Sequence, residues 1–232
     1  MSEQTGHNSN AKPDTGSMRL LDTLEELPIA FDEERHEYRW VPTGEIMSTS
    51  VTRVCSASKD ARALANIERT RSVWEPRGKH VHAVLESHLN GEHGPYEDWA
   101  DDYDGPYPEY CKPMLAHPMW EYFQPIAIEY RVCDLKRNIG GSLDALGWDH
   151  LTDRMVLLDL KSQRTKNEYD TSSQLGAYLS MLIDHKRVLV DECITFWARP
   201  GQAQLGGNQP PDACLQSWET SYDLWAMLQE EL

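Results

Sequence analysis

Three apolar, strand-like segments in the middle of the chain constrain its fold more than anything else in it. Ile126–Cys133, Gly141–Trp148 and Met155–Lys161 are each the length of a strand and too short for an ordinary helix. Polar turns at Lys136–Gly140 and Asp149–Asp153 join them. Such short joints suit antiparallel neighbours, because a parallel pair needs a long crossover. Thr171-Ser172-Ser173-Gln174 then reads as a capping box in which Gln174 reaches back to the cap. It opens a helix to about Ile183 whose buried face is Leu175, Leu179, Leu182 and Ile183, and Glu192–Ala198 follows as another strand. Upstream, Ile29–Met47 reads as a β-hairpin turning at Pro42-Thr43-Gly44, and Ser48–Thr52 as a helix cap. Helices are expected over about Lys59–Val73, ended by Glu75-Pro76, and over Gly78–Leu89, Glu109–Phe123 and Ser221–Glu231. Asn90–Pro108 and Pro200–Pro211 read as loops. This order predicts an α/β (α+β) fold, a central mixed β-sheet flanked by helices, with an N-terminal β-hairpin and a helical insertion. At 232 residues, one domain over 18–232 is expected, behind a polar leader at 1–17 that reads as disordered.

The chemistry gathers on the same strands. Asp144 lies within the second segment, and Asp159-Leu160-Lys161 ends the third. Strand alternation places Asp159 and Lys161 on one face and turns Leu160 to the other. Converging carboxylates hold a hard divalent cation through oxygen, and a lysine beside them neutralises charge developing on a phosphate. The competing interpretation is a solvated strand end with a surface ion pair. Against it, the charged pair closes a strongly apolar run, Met155–Leu158. His82 and Glu86 stand one helical turn apart on a shared face, and imidazole suits Mn²⁺ as an added ligand. His80 falls on another side and reads as structural. Gln174 and Tyr178 are also spaced i, i+4, either as a cap and a core tyrosine or as a pair facing the site.

A net charge of −16 is awkward for a protein that lies along phosphates. Basic residues nevertheless cluster beside the proposed site, with Lys136 and Arg137 before it and Lys161, Arg164 and Lys166 after it. The acidic loop carrying Glu97, Asp98, Asp101, Asp102 and Asp104 lacks the ligand spacing of an EF-hand. The five cysteines are scattered and never form a C-x-x-C pair, which fits free thiols in a cytoplasmic protein. No apolar run is long enough to span a membrane, and the N-terminus has no signal-like core.

Gly78-x-x-x-His82, Gly141-Ser142-Leu143-Asp144, Asp159-Leu160-Lys161 and Gln174-x-x-x-Tyr178 occur in an order that resembles the PD-(D/E)xK nuclease superfamily, specifically its RecB-type exonuclease branch. The resemblance covers roughly residues 29–200 and includes the hairpin with Ser50-Val51-Thr52-Arg53, similar to the opening of phage and mitochondrial members. It implies an α-β-β-β-α-β core and Mg²⁺- or Mn²⁺-dependent DNA cleavage. It also implies that His82, Asp144, Asp159 and the backbone carbonyl of Leu160 hold the metal, with Lys161 as the catalytic lysine and Gln174 and Tyr178 in support. Glu86 joins the supporting set, and Glu129 takes either a role at a second metal ion or a surface strand position. Ser50, Thr52, Arg53, Arg137, Ser162 and Arg164 are the expected DNA contacts. The cysteines do not follow the iron–sulfur pattern of some relatives, so no cluster is expected. The implied partner is DNA, single-stranded or at ends, with a recombinase, single-strand-binding protein or helicase as companion, and an oligomer is compatible. Replacing Asp159 or Lys161 is expected to abolish cleavage without disturbing folding. The alternatives are a structure-specific endonuclease or an inactive nuclease-like binding protein.

Overall fold

The computed structural model describes residues 22–92, 101–166, 168–186 and 188–230. The leader and residues 93–100 of the acidic loop, including Glu97 and Asp98, lie outside them. The three central segments form strands β5 (Phe123–Asp134), β6 (Ile139–Asp149) and β7 (Arg154–Ser162), paired antiparallel in sequence order. Helix α5 (Ser172–Lys186) then carries the chain across to β8 (Glu192–Arg199), which pairs parallel with β7. The result is a mixed sheet flanked by helices.

Burial explains why β7 and β8 read as continuous apolar runs. Leu157 faces one core with α5 and α6 (Pro211–Glu230), around Leu179, Leu182 and Trp218. Val156, Leu158 and Leu160 face a second core with α3 (Arg71–Leu89) and α4 (Pro108–Leu115), around Val81, Leu85 and Met114. A strand covered on both faces has no position where water rewards a polar residue.

The N-terminal segment is a three-stranded meander of β1 (Ile29–Asp32), β2 (Glu37–Trp40) and β3 (Glu45–Ile46), with two turns where the sequence suggests one. The overlooked turn, Glu33–His36, has neither Gly nor Pro. Asp32 Oδ1 accepts the Arg35 N–H at 3.1 Å, and His36 adopts a left-handed φ of 54°. Strand β4 (Thr49–Ser50) leads into α1 (Val51–Cys55), which Ser50 caps as expected.

Several boundaries move. Helix α2 (Ala61–Arg69) ends at Thr70, whose hydroxyl donates back to the Asn66 carbonyl at 2.9 Å. Pro76 does not break the chain but sits inside α3. It deletes one ladder bond, and burial of Val81, Val84 and Leu85 further along holds the helix together. The expected Glu109–Phe123 helix stops at Leu115, and Pro118–Glu121 forms a 3₁₀ turn before β5. A short strand, β9 (Gln202–Leu205), lies in the supposed Pro200–Pro211 loop, where Gly201 turns the chain back at φ 73°. Helix α6 starts at Pro211, an acceptable first helical residue, ten residues before the expected Ser221. Ile183, expected inside, is exposed on α5.

His117 caps the 3₁₀ turn, its Nδ1 accepting the Met119 N–H at 3.3 Å, and burial lowers its pKa from 6.5. The unfolded chain therefore takes up this proton first on acidification. The stability contributed is present above pH 6.5 and is lost as pH falls through the lowered folded value. His117→Asn keeps an acceptor and removes the titration. Its urea midpoint should fall less between pH 7.5 and 5.5 than that of the wild type, whereas His117→Ala should cost about 1 kcal/mol at pH 7.5.

Candidate active site

The site lies in a notch within the sheet. Along one edge β6 pairs with β5 from Ile139 to Asp149, with a register shift between Pro125 and Ala127 and a gap where Glu129 faces Asp144. On its other edge β7 pairs only with Ala145–Asp149, and β4 only with Ile139 and Gly140. Residues 141–144 of β6 thus have no strand partner on that side, and β7 diverges beyond Leu158. Asp144 stands at the fork. Its Oδ2 accepts the Leu160 N–H at 2.5 Å, a side chain standing in for the missing ladder bond.

Two clusters flank the fork. In the first, His82 on α3 places Nδ1 3.1 Å from Asp144 Oδ1 and 3.4 Å from Glu129 Oε1. One donor atom each from His82, Glu129 and Asp144 lies within 4.8 Å of the others. Burial works against the imidazolium, but Asp144 and then Glu129 outweigh it and lift His82 to about 10. Burial alone would raise Asp144. The His82 charge, with Lys161 behind it, holds that carboxyl below its ordinary value. Glu129, in contrast, is raised by burial. It reaches the cluster because its backbone takes φ 44° inside a strand, a left-handed conformation rare for a residue with a side chain.

In the second cluster Lys161 Nζ donates to Asp159 Oδ1 at 2.9 Å and to Gln174 Oε1 at 3.0 Å. Gln174 Nε2 in turn donates to Tyr178 OH at 3.0 Å. Gln174 is therefore spent on the lysine and does not close the expected capping box; Thr171 bonds Thr195 instead. Asp159 is 1% exposed, and burial pushes it up to about 6. Its Oδ2 lies 2.8 Å from the same ammonium, so Lys161 pairs with both oxygens of the carboxylate. An imidazole nitrogen and the Asp144 and Glu129 oxygens form a donor set that suits a divalent cation of the Mg²⁺ or Mn²⁺ kind, and Asp159, paired with Lys161, stands outside that group.

The remaining expected positions divide. Arg77 Nη2 donates to the Ser162 carbonyl at 3.1 Å, tying α3 to the end of β7 beside Lys161. Ser50 borders the notch, and Thr52, Arg53 and Arg164 are exposed. Glu86 is exposed and shares a cavity of about 160 Å³ with Glu129. Arg137 departs from expectation. Its guanidinium forks onto Glu219 at 3.0 and 2.5 Å and stacks over Tyr222, clamping the β5–β6 turn to α6. An arginine so committed is a structural clamp and is not retained as a DNA contact. His80 is structural, with Nε2 2.6 Å from Tyr103 OH. Tyr38 was legible only as a strand former. Its ring covers Gly140, where a Cβ would meet it at 2.5 Å, and its hydroxyl lies 3.4 Å from Ser142 Oγ. On the opposite face a Cβ on Gly141 would meet the Tyr178 ring at 2.9 Å, so the paired glycines let two tyrosines seat β6.

No protein family matches the sequence, and no curated protein does. A solved structure described as "Crystal structure of SSO0001" is similar over 76% of this chain and 75% of that one, with 16% identity and a TM-score of 0.35. A likeness of that size carries no argument about fold family or function. Among the described residues, no helix is long and apolar enough to cross a membrane.

Proposed function

We propose that this chain is a metal-dependent deoxyribonuclease with a PD-(D/E)xK core of the RecB type, acting as an exonuclease on single-stranded DNA or DNA ends. The observation that carries the reading is convergence. His82, Asp144, Asp159, Lys161, Gln174 and Tyr178, spread over nearly a hundred residues of sequence, meet at one interruption of the sheet.

His82, Asp144 and Glu129, whose donor atoms gather at one point, would hold Mg²⁺ or Mn²⁺, with Asp159 and the Leu160 carbonyl completing the ligand set that the family resemblance implies. A bound ion there supplies Lewis-acid polarisation of the phosphate and a lowered pKa for its water. Lys161 keeps its proton, because Asp159 more than offsets the cost of burial, and it presents a fixed positive charge to the developing phosphorane. Asp159 and Gln174 fix the direction of that ammonium, and Tyr178 fixes Gln174. Residues 53–79, which lead through α1 and α2 to the site, hold seven basic residues against three acidic ones. Arg53, Lys59, Arg62 and Lys79 are exposed in this stretch and can track a phosphate backbone. The setting we propose, on the family resemblance alone, is cytoplasmic DNA replication, recombination or repair of the phage type, beside a recombinase, single-strand-binding protein or helicase.

The test is a time course with 5′- and 3′-labelled linear single- and double-stranded DNA, in Mg²⁺, in Mn²⁺ and in chelator. Metal-dependent shortening from an end is expected. Cutting of circular single strands would replace exonuclease with endonuclease, and no turnover of any substrate would overturn the enzyme reading. Binding alone also has a readout. Mn²⁺ at a hundred times its Kd should stabilise the fold by about 2.7 kcal/mol. Asp144→Asn should lose most of that gain in thermal denaturation.

A further inference from the structure

Tyr169 lies between the end of β7 and the start of α5. It is 54% exposed, yet it belongs to a segment whose other side chains are all tied down. On one side, Glu168 Oε1 accepts from Arg199 Nη2 at 3.1 Å and from Gln204 Nε2 at 2.5 Å, and Arg199 is itself 3% exposed. On the other, Asp170 Oδ1 accepts the Ser172 N–H at 2.8 Å. Thr171 is bonded to Thr195 and to Gln209. A loop this anchored would bury its aromatic residue at little cost, but it presents the ring to solvent instead. The ring centroid lies 5.2 Å from that of buried Trp197, at 83°, so an edge-on contact fixes the orientation of the phenol. Trp197 is the register partner of Lys161 across β7 and β8, so both side chains leave the sheet on one face. The Tyr169 hydroxyl makes no hydrogen bond with any described residue; burial raises the phenol above its ordinary value, with Lys161 pulling the other way.

We infer that Tyr169 is the stacking platform for the nucleobase next to the scissile phosphate, holding that nucleotide while Lys161 meets the phosphate itself. The assignment rests on the nuclease reading and deepens it by naming a positioning residue for the strand. An exposed ring on a rigid loop loses little conformational freedom when a base settles on it, and every base offers a π face. The preference this creates is for an unpaired base, since a base within a duplex has both faces covered by its neighbours. Ring stacking acts on ground state and transition state alike, so it should appear in KM and leave kcat nearly unchanged.

The experiment measures kcat and KM of wild type, Tyr169→Phe and Tyr169→Ala on a short single strand with Mn²⁺. It is repeated on strands carrying one abasic site immediately 5′ or 3′ of the cleaved bond, with thermal melting as the folding control. The expected result is a KM raised about 10- to 100-fold in Tyr169→Ala, kcat within about twofold of wild type, and near-complete recovery in Tyr169→Phe. One abasic position should weaken the wild type by a similar factor and leave Tyr169→Ala unaffected. A Tyr169→Ala enzyme that matches wild type on the intact strand overturns the platform while leaving the nuclease standing. So does one that loses kcat instead of KM, or that remains sensitive to both abasic positions. A wild type that cleaves no strand overturns both readings.

Discussion

Lys161→Ala is expected to reduce metal-dependent DNA cleavage by about 10²–10³-fold or more, the scale at which a single aimed charge stabilises a transition state. It is also expected to destabilise the protein. The ammonium is the hydrogen-bonding partner of Asp159, and that carboxylate is 1% exposed. Removing one member of a buried ion pair leaves the other charge stranded, at a typical cost of about 3–5 kcal/mol. This revises the sequence-based expectation that either residue can be deleted without disturbing the fold. The double replacement Asp159→Asn with Lys161→Met separates the two roles: it should recover most of the lost stability and none of the activity. Chemical denaturation and a cleavage assay on Asp159→Asn, Lys161→Met and the double variant complete the comparison. Additive losses of stability would show that the pair does not act as a unit.

Gly176→Ala should be the most damaging small substitution away from the site. A Cβ there would lie 1.9 Å from the Cys214 carbonyl oxygen and 2.4 Å from its carbon. Both are backbone atoms of α6, so no side chain can rotate away, and α5 and α6 must move apart. The same crossing carries a hydrogen bond between Ser172 and Ser217 at 2.9 Å, and α5 presents Gln174 and Tyr178 to Lys161. Overpacking of this kind costs about 1–3 kcal/mol and can exceed it. A fall in Tm of about 2–12 °C is the corresponding result for a domain of this size. Cleavage should fall as well, because displacement of α5 withdraws Gln174 from the ammonium. An unchanged Tm would mean that the helices do not meet at Gly176.

The parts of this architecture that were legible in the sequence are those in which local pattern and burial agree. β5, β6 and β7 were clear because their apolar runs are bounded by polar turns. α5 was clear because hydroxyl residues precede an apolar face. Asp144, Asp159 and Lys161 could be read for the same reason, as charges interrupting strands that otherwise bury everything. Other features depend on contacts between distant segments. Nothing near Arg137 announces that Glu219, 82 positions away, will take its guanidinium. β9 contains glutamines where a strand reading looks for apolar alternation, and only β8 beside it makes it a strand. Glu129 looked ambiguous because its alternation with Ile128 and Tyr130 gives no sign of a left-handed backbone. That one torsion brings its carboxylate to His82 and Asp144.

The notch has a further consequence, for self-association. An open β-strand edge ordinarily invites another strand and with it aggregation. Here the open stretch of β6 is only residues 141–144, bounded at one end by β4 and at the other by β7 of the same sheet. No foreign strand of useful length fits between them, and the charged groups of Asp144, Asp159 and Lys161 crowd the mouth. The interrupted stretch is also covered by side chains, with Gly141, Leu143 and Asp144 buried, so the break in the sheet offers a neighbour no template for growth. Lengthening β4 by a few residues toward Asp144 would repair the sheet and close the opening.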